Sequence, residues 1–235
     1  MQKIFAKLGL NLKNLDFFIA NASQSIHAIR QESFKDLQEQ EKQAWEKFFS
    51  FCISRTEIQE DPELRNIVLN FCNQFHQDIY EFNLSLTQSR RVKAGKELEN
   101  IVELIFKACD IPIKKQGIIK EKGVKKIIDL ISPSPENYQI NPEKVILISC
   151  KTTLRERWQE VLEEIRDIQG PQIFLVTLDE KFPDSLLSSF QKFNIQLVVL
   201  ETVKRNYLTN KCIISLEELL KISRKNYLYW LNYKY

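Results

Sequence analysis

The sequence predicts an α/β fold, a mixed central β-sheet flanked by helices with a helical N-terminal layer before it. Three observations in the 235 residues carry that reading. No glycine occurs between Leu10 and Gly95, and the apolar residues of that stretch recur at helical spacing. After Asp110 the texture changes to short runs rich in Ile, Val and Leu. Helical patterns lie between the later runs, and strands alternating with helices imply parallel crossovers in one sheet.

The elements follow in order. "FKDLQEQEKQAWEKFFSFC" places Phe34, Leu37, Ala44, Trp45, Phe48 and Phe49 on a helical stripe. "PELRNIVLNFCNQFHQDIYEFNL" repeats the pattern at Leu64, Ile67, Val68, Phe71 and Phe75. A third helix is expected in "GKELENIVELIFKAC", with Leu98, Ile101, Val102 and Ile105 on one side. Strands are expected at 124–132, 144–149, 172–178 and 195–201. The last two lack polar alternation, as strands covered on both faces do. A helix is expected after Thr153, another around "DSLLSSFQKFN", and a final one at "SLEELL", where Ser215 and Glu218 can form a capping box. The expected organisation is one domain over 1–235, with a helical layer at 1–90 and an α/β core at 91–235.

Composition narrows the class. With 43% hydrophobic and 28% charged residues the chain can bury a core, and its net charge of +3 permits nucleic-acid binding without arguing for it. The five cysteines are scattered and only two histidines, His27 and His76, could assist them, so a zinc site is not expected. An odd cysteine count without a secretory leader predicts a reduced, cytoplasmic protein. No apolar run approaches the roughly 20 residues of a membrane-spanning helix, so no membrane partner is expected.

The chemistry gathers at "ISCKTTLRERWQEVLEE", residues 148–164. Thr153 and Glu156 match a capping box, which starts a helix near Leu154 with Trp158, Val161, Leu162, Ile165 and Ile168 as its apolar stripe. Lys151 then stands at the mouth of the strand and Arg155 and Arg157 in the first helical turn. Arginines there oppose the helix dipole, which favours acids. Upstream, Asp129 interrupts an apolar strand, against strand propensity. If strands 124–132 and 144–149 pair as a hairpin, Asp129 and Lys151 come together. Asp129 and Glu164 could then hold a divalent cation, for which magnesium suits the hard oxygen ligands. Lys151 could orient water or neutralise developing charge, an arrangement suited to metal-assisted phosphodiester hydrolysis.

The pattern D-x21-K-x12-E with "SCKTTLRERW" around the lysine resembles the EcoRII/SsoII/PspGI group of type II restriction endonucleases, within the PD-(D/E)xK nuclease superfamily. The resemblance implies the restriction-endonuclease-like fold and magnesium-dependent cleavage of double-stranded DNA at sites built on CC and GG. It implies a homodimer and no nucleotide cofactor. It also puts Asp129, Lys151 and Glu164 at the catalytic positions, and Arg155, Glu156 and Arg157 at the segment that reads bases in the major groove. Glu163 competes with Glu164, and spacing favours Glu164. Ser149 departs from the wider superfamily, many members of which carry an acid two residues before the lysine. A second element, "QSRRVKAGKELE", resembles the family's RR-x-x-AG-x-x-x-E segment. By that resemblance Gln88, Arg90 and Arg91 approach DNA, Glu99 faces the metal site, and Gly95 allows close approach of DNA or a neighbouring helix.

Plainer readings stand beside these. Taken alone, Arg90, Arg91, Arg155 and Arg157 describe solvated helix faces, and Glu99 a helix salt bridge. Trp45, Phe48 and Phe49 fit core packing better than DNA stacking, and Cys150 reads as a buried thiol. His27 and His76 read as structural or surface residues. Two other functions share parts of the pattern: a structure-directed or repair nuclease of the same superfamily, and a catalytically silent DNA-binding module.

Overall fold

The computed structural model describes residues 1–54, 64–121, 124–154, 162 and 172–233. Its contacts divide the chain into two compact units, one formed by 1–29 with 95–235 and the other by 30–94. Among the described residues no helix is long and apolar enough to cross a membrane.

The first unit is built on a six-stranded sheet, with strands in the order of the chain. Strand β1 (Lys114–Glu121) pairs antiparallel with β2 (Val124–Ser132), and β2 pairs antiparallel with β3 (Ile146–Lys151). From β3 the pairing turns parallel, through β4 (Ile173–Thr177) and β5 (Ile195–Val199) to β6 (Ile213–Ser215). The mixed sheet agrees with the sequence reading. Every residue of β4 is buried, as its unbroken apolar run requires.

Two strands escape the sequence patterns. β1 reads as lysines around a glycine, yet an edge strand needs only one apolar face, which Ile119 supplies. Its lysines also discourage pairing with other chains. Gly117 in β1 is a packing requirement: a Cβ there would lie 2.4 Å and 2.9 Å from the buried Ile131 side chain and 3.0 Å from Pro135. β6, with three residues, is too short to show a period.

Among the described residues the α-helices are α1 (Gln2–Lys7), α2 (Leu15–Ser54), α3 (Leu64–Ala108), α4 (Pro135–Ile140), α5 (Asp184–Lys192), α6 (Glu201–Lys204) and α7 (Leu216–Asn232). α3 runs unbroken through Gly95, which corrects the expectation of a separate third helix. One glycine costs a helix only about 1 kcal/mol against alanine, and continuous flanking contacts outweigh that. Among the described residues, no atom lies within 4 Å of where a Cβ would stand on Gly95. No described neighbouring helix therefore accounts for this glycine.

One face of the sheet is covered by Phe18, Ala22, Ile26 and Ile29 of α2, by Leu98, Ile101, Val102, Ile105 and Phe106 of α3, and by Leu216, Leu219 and Leu220 of α7. A second cluster joins Leu147, Leu175 and Leu197 to Leu186, Leu187 and Phe190 of α5. The capping box at the start of α7 forms as predicted, with Glu218 N donating to Ser215 Oγ and Ser215 N to Glu218 Oε2. At its other end, Trp230 donates its indole N–H to Lys144 O at 2.9 Å and packs against Tyr229 and Tyr233. The C-terminal aromatic cluster thus contacts the segment that leads into β3.

In the second unit the described parts of α2 and α3 run antiparallel. Phe48 stacks on Phe82 at 4.6 Å, and Trp45 meets Phe82 edge-on and stacks on Phe49. These aromatics pack on one another, yet Trp45 and Phe48 are only half-buried and Phe49 is exposed, so the core reading holds only for their mutual packing.

Candidate active site

β2 and β3 form the hairpin that the sequence reading required, with Leu130 opposite Ile148 and Ile131 opposite Leu147. The β2–β3 ladder ends at Ile148, and beyond it the Asp129 side chain takes over its role. Asp129 Oδ2 accepts from the Cys150 backbone N–H at 2.8 Å and from Ser149 Oγ at 3.1 Å. Both bonds engage one carboxylate oxygen, which leaves Oδ1 without a hydrogen-bond partner among the described residues. An apolar strand carries this aspartate because it satisfies an amide that the sheet leaves unpaired.

Lys151 is the last residue of β3, half-buried, and lies opposite Thr177 of β4. Glu99 projects from α3, also half-buried. Burial pushes the Glu99 carboxyl above the ordinary carboxylate range, and the charge of Asp129 pushes it the same way. Lys115, Lys151 and Lys96 pull against that shift. The fields of Asp129, Lys151 and Lys115 therefore converge on Glu99. Lys115 is bonded to Asn100 and lies 3.7 Å from Glu103, which ties β1 to α3 beside the acids.

Asp129 and Glu99 are two carboxylates held where each raises the energy of the other. A hard divalent cation suits such a pair, because oxygen ligands and opposite charge relieve the repulsion. Among the described residues no group of three or more His, Cys, Asp or Glu side chains could hold a metal ion. The third expected acid, Glu164, its competitor Glu163, and Arg155, Glu156 and Arg157 all lie outside the described residues. Leu162, from the predicted apolar stripe, does pack against the second core cluster.

Cys150 is not available as a nucleophile. Burial first, then the charges of Asp129 and Glu99, hold its thiol well above its ordinary pKa. Gln88 and Arg90 lie on α3 in the second unit, both exposed. Arg90 forms a two-pronged ion pair with Glu41, at 2.6 Å for each bond. That bond holds the Glu41 carboxyl below its ordinary value. The side chain of Arg91 lies outside the described residues.

Three features of the region had no clear signal in the sequence. Lys115 sits on an unpredicted strand. Gln116, whose neighbours pair with Leu130 and Ile128 on either side of Asp129, has φ 46°, in the left-handed region that L residues seldom adopt. Asp179, two residues past β4, reaches back to the end of the lysine strand.

Comparison with known proteins places the chain in a family. Residues 57–220 match the family described as EcoRII C terminal. The chain is 34% identical over 239 residues to the type II restriction enzyme SsoII of Shigella sonnei, a match covering 99% of this chain and 78% of SsoII. It is 27% identical over 126 residues to the type II restriction enzyme EcoRII of Escherichia coli, which covers 52% of this chain and 30% of that enzyme. The structure is similar to that of Ecl18kI, solved metal-depleted in complex with uncleaved, modified DNA. The TM-score is 0.89 at 33% identity, over 99% of this chain and 79% of that one. The restriction endonuclease PspGI, solved with substrate DNA, shares the fold with a TM-score of 0.71 at 16% identity, over 96% of this chain and 90% of that one.

Proposed function

The chain belongs to the EcoRII C-terminal family and is a type II restriction endonuclease, and from that premise we propose that it hydrolyses both strands of duplex DNA at a short site with CC and GG arms, using magnesium. The observation that carries the reading is the convergence of Asp129, Lys151 and Glu99 at the end of one β-hairpin, with one Asp129 carboxylate oxygen unbonded among the described residues. Ecl18kI and PspGI, with which the chain shares its fold, were both solved with DNA. DNA is accordingly the partner proposed here.

Asp129, Glu164 and Glu99 would hold the cation. When bound, a divalent cation supplies Lewis acidity, making water a stronger nucleophile and offsetting charge on the phosphate. Asp129 is held rigid for its role by the Cys150 amide and the Ser149 hydroxyl. Lys151, fixed at a strand end, would hydrogen-bond the attacking water or a phosphate oxygen and stabilise the negative charge that develops there. The water oxygen bonds to phosphorus in line as the bond from phosphorus to the leaving deoxyribose oxygen breaks. Arg155 and Arg157 would fork onto guanine O6 and N7, and Glu156 would accept from cytosine N4, each good contact discriminating by about 1–3 kcal/mol. Gln88, Arg90 and Arg91 would approach DNA. For Arg90 this requires release from Glu41 or use of its remaining N–H donors. A near-palindromic site calls for a homodimer whose two-fold axis matches that of the DNA, each subunit cutting one strand. Such an enzyme acts in the cytoplasm, where DNA is exposed to it.

The test is incubation of the purified protein with plasmid DNA and magnesium, followed by sequencing of the ends. Discrete ends at sites with CC and GG arms are expected. Scattered nicks or preference for branched DNA would replace this reading with that of a structure-directed nuclease, and binding without cleavage would replace it with a silent module.

A further inference from the structure

The strand ends that carry Lys151 are tied together by a residue outside the predicted catalytic set. Asp179 Oδ2 accepts from the backbone N–H of Leu154 at 2.5 Å and from Thr153 Oγ1 at 3.3 Å. Its own backbone N–H donates to Thr177 Oγ1 at 3.3 Å. Thr177 is fully buried and stands opposite Lys151 in the β3–β4 ladder. Lys151 is thus linked to Thr153 and Leu154 through its ladder partner Thr177 and the bonds of Asp179. Leu154 is anchored twice, by its amide on Asp179 and by its buried side chain in the second core cluster.

We propose that Asp179 is a positioning residue that fixes the point from which the segment beginning at Arg155 departs, and thereby sets how sharply the enzyme distinguishes its site from near matches. This rests on the reading of Arg155, Glu156 and Arg157 as the base-contacting segment. Two-pronged base contacts demand placement within a fraction of an ångström. The backbone immediately before Arg155 is therefore where a loss of rigidity affects specificity most. A carboxylate serves well because two donors, an amide and a hydroxyl, converge on one of its oxygens, and bonds to a charged acceptor are the stronger kind. Among the described residues Asp179 bonds to Thr153, Leu154 and Thr177 and to none of Asp129, Lys151 and Glu99, so its effect would fall on recognition more than on the chemical step.

The experiment measures kcat/KM on a cognate duplex and on duplexes with one arm base changed, for the full-length protein and five variants. Asp179→Ala should lower the cognate-to-near-match ratio at least ten-fold. Asp179→Asn, which keeps one acceptor oxygen, should restore most of that ratio. Thr153→Val should give a smaller loss, and it keeps the test open should Asp179→Ala fold poorly. A role in stability alone would scale all substrates equally and leave the ratio unchanged. Arg155→Ala and Arg157→Ala serve as the reference. If they change the ratio while Asp179→Ala and Thr153→Val do not, the inference is wrong and the base-reading assignment stands. If neither arginine variant changes it, that assignment fails and the inference falls with it.

Discussion

Replacing Asp129 separates the structural task of this carboxylate from its proposed chemical one. In Asp129→Ala the Cys150 amide, on a residue only 4% exposed, loses its acceptor. An orphaned buried donor costs about 1–3 kcal/mol. The Ser149 hydroxyl can rotate toward another acceptor, so most of the loss falls on the fixed backbone N–H. Relief of repulsion at Glu99 offsets a part of it. Asp129→Asn keeps an acceptor oxygen in the same position and removes only the charge, so it should cost less than about 1 kcal/mol. The assay is urea denaturation in metal-free buffer at pH 7, with cleavage of a cognate duplex in magnesium measured alongside. The expected result is an order in stability, with Asp129→Ala clearly weakest and Asp129→Asn near the parent, while both lose cleavage. An Asp129→Ala variant as stable as the parent would refute the account of the hairpin end. Full cleavage by Asp129→Asn would refute the chemical role.

Two further outcomes follow from the same geometry. The Glu99 carboxyl has its folded pKa raised above the ordinary value of 4.5, so its ionised form opposes folding. Stability tied to this group is present below that value and is lost as pH rises through the folded pKa. In EDTA, Glu99→Gln should therefore raise Tm at pH 8, lose that advantage near pH 4, and cut poorly in magnesium; a lower Tm than the parent at pH 8 would contradict the assigned cause. Gly117→Ala forces a methyl group against the buried Ile131 and against Pro135. Overpacking of this kind costs about 1–3 kcal/mol, or roughly 2–4 °C of Tm per kcal/mol in a chain of this size. A thermal melt matching that of the parent would show that the hairpin yields freely.

The sequence made the centre of the sheet legible and left its edges obscure, for a physical reason. β4 and β5 are covered on both faces and announce themselves as apolar runs, and the Ser215 box announces α7 through local chemistry alone. β1 needs one apolar side and hides among lysines, and β6, with three residues, is too short to display the two-residue alternation of a strand. Gly95 misled because a glycine inside a long, well-packed helix is a tolerable loss and does not end it. At the site, Asp129 and Lys151 were legible as charges on apolar strands. The β2–β3 pairing brings them to one hairpin end. Asp179 lay beyond any local pattern. Its partners Thr153 and Leu154 precede it by about 25 residues, and only the parallel β3–β4 pairing brings them together.

The central claim is that Lys151 at this hairpin end serves cleavage, distinct from folding or DNA binding. Lys151→Ala tests it in one measurement: single-turnover cleavage of a cognate duplex in magnesium, with binding of the same duplex followed in calcium. The account predicts cleavage lost by several orders of magnitude and specific binding still measurable. Cleavage by Lys151→Ala at the parent's rate would contradict it.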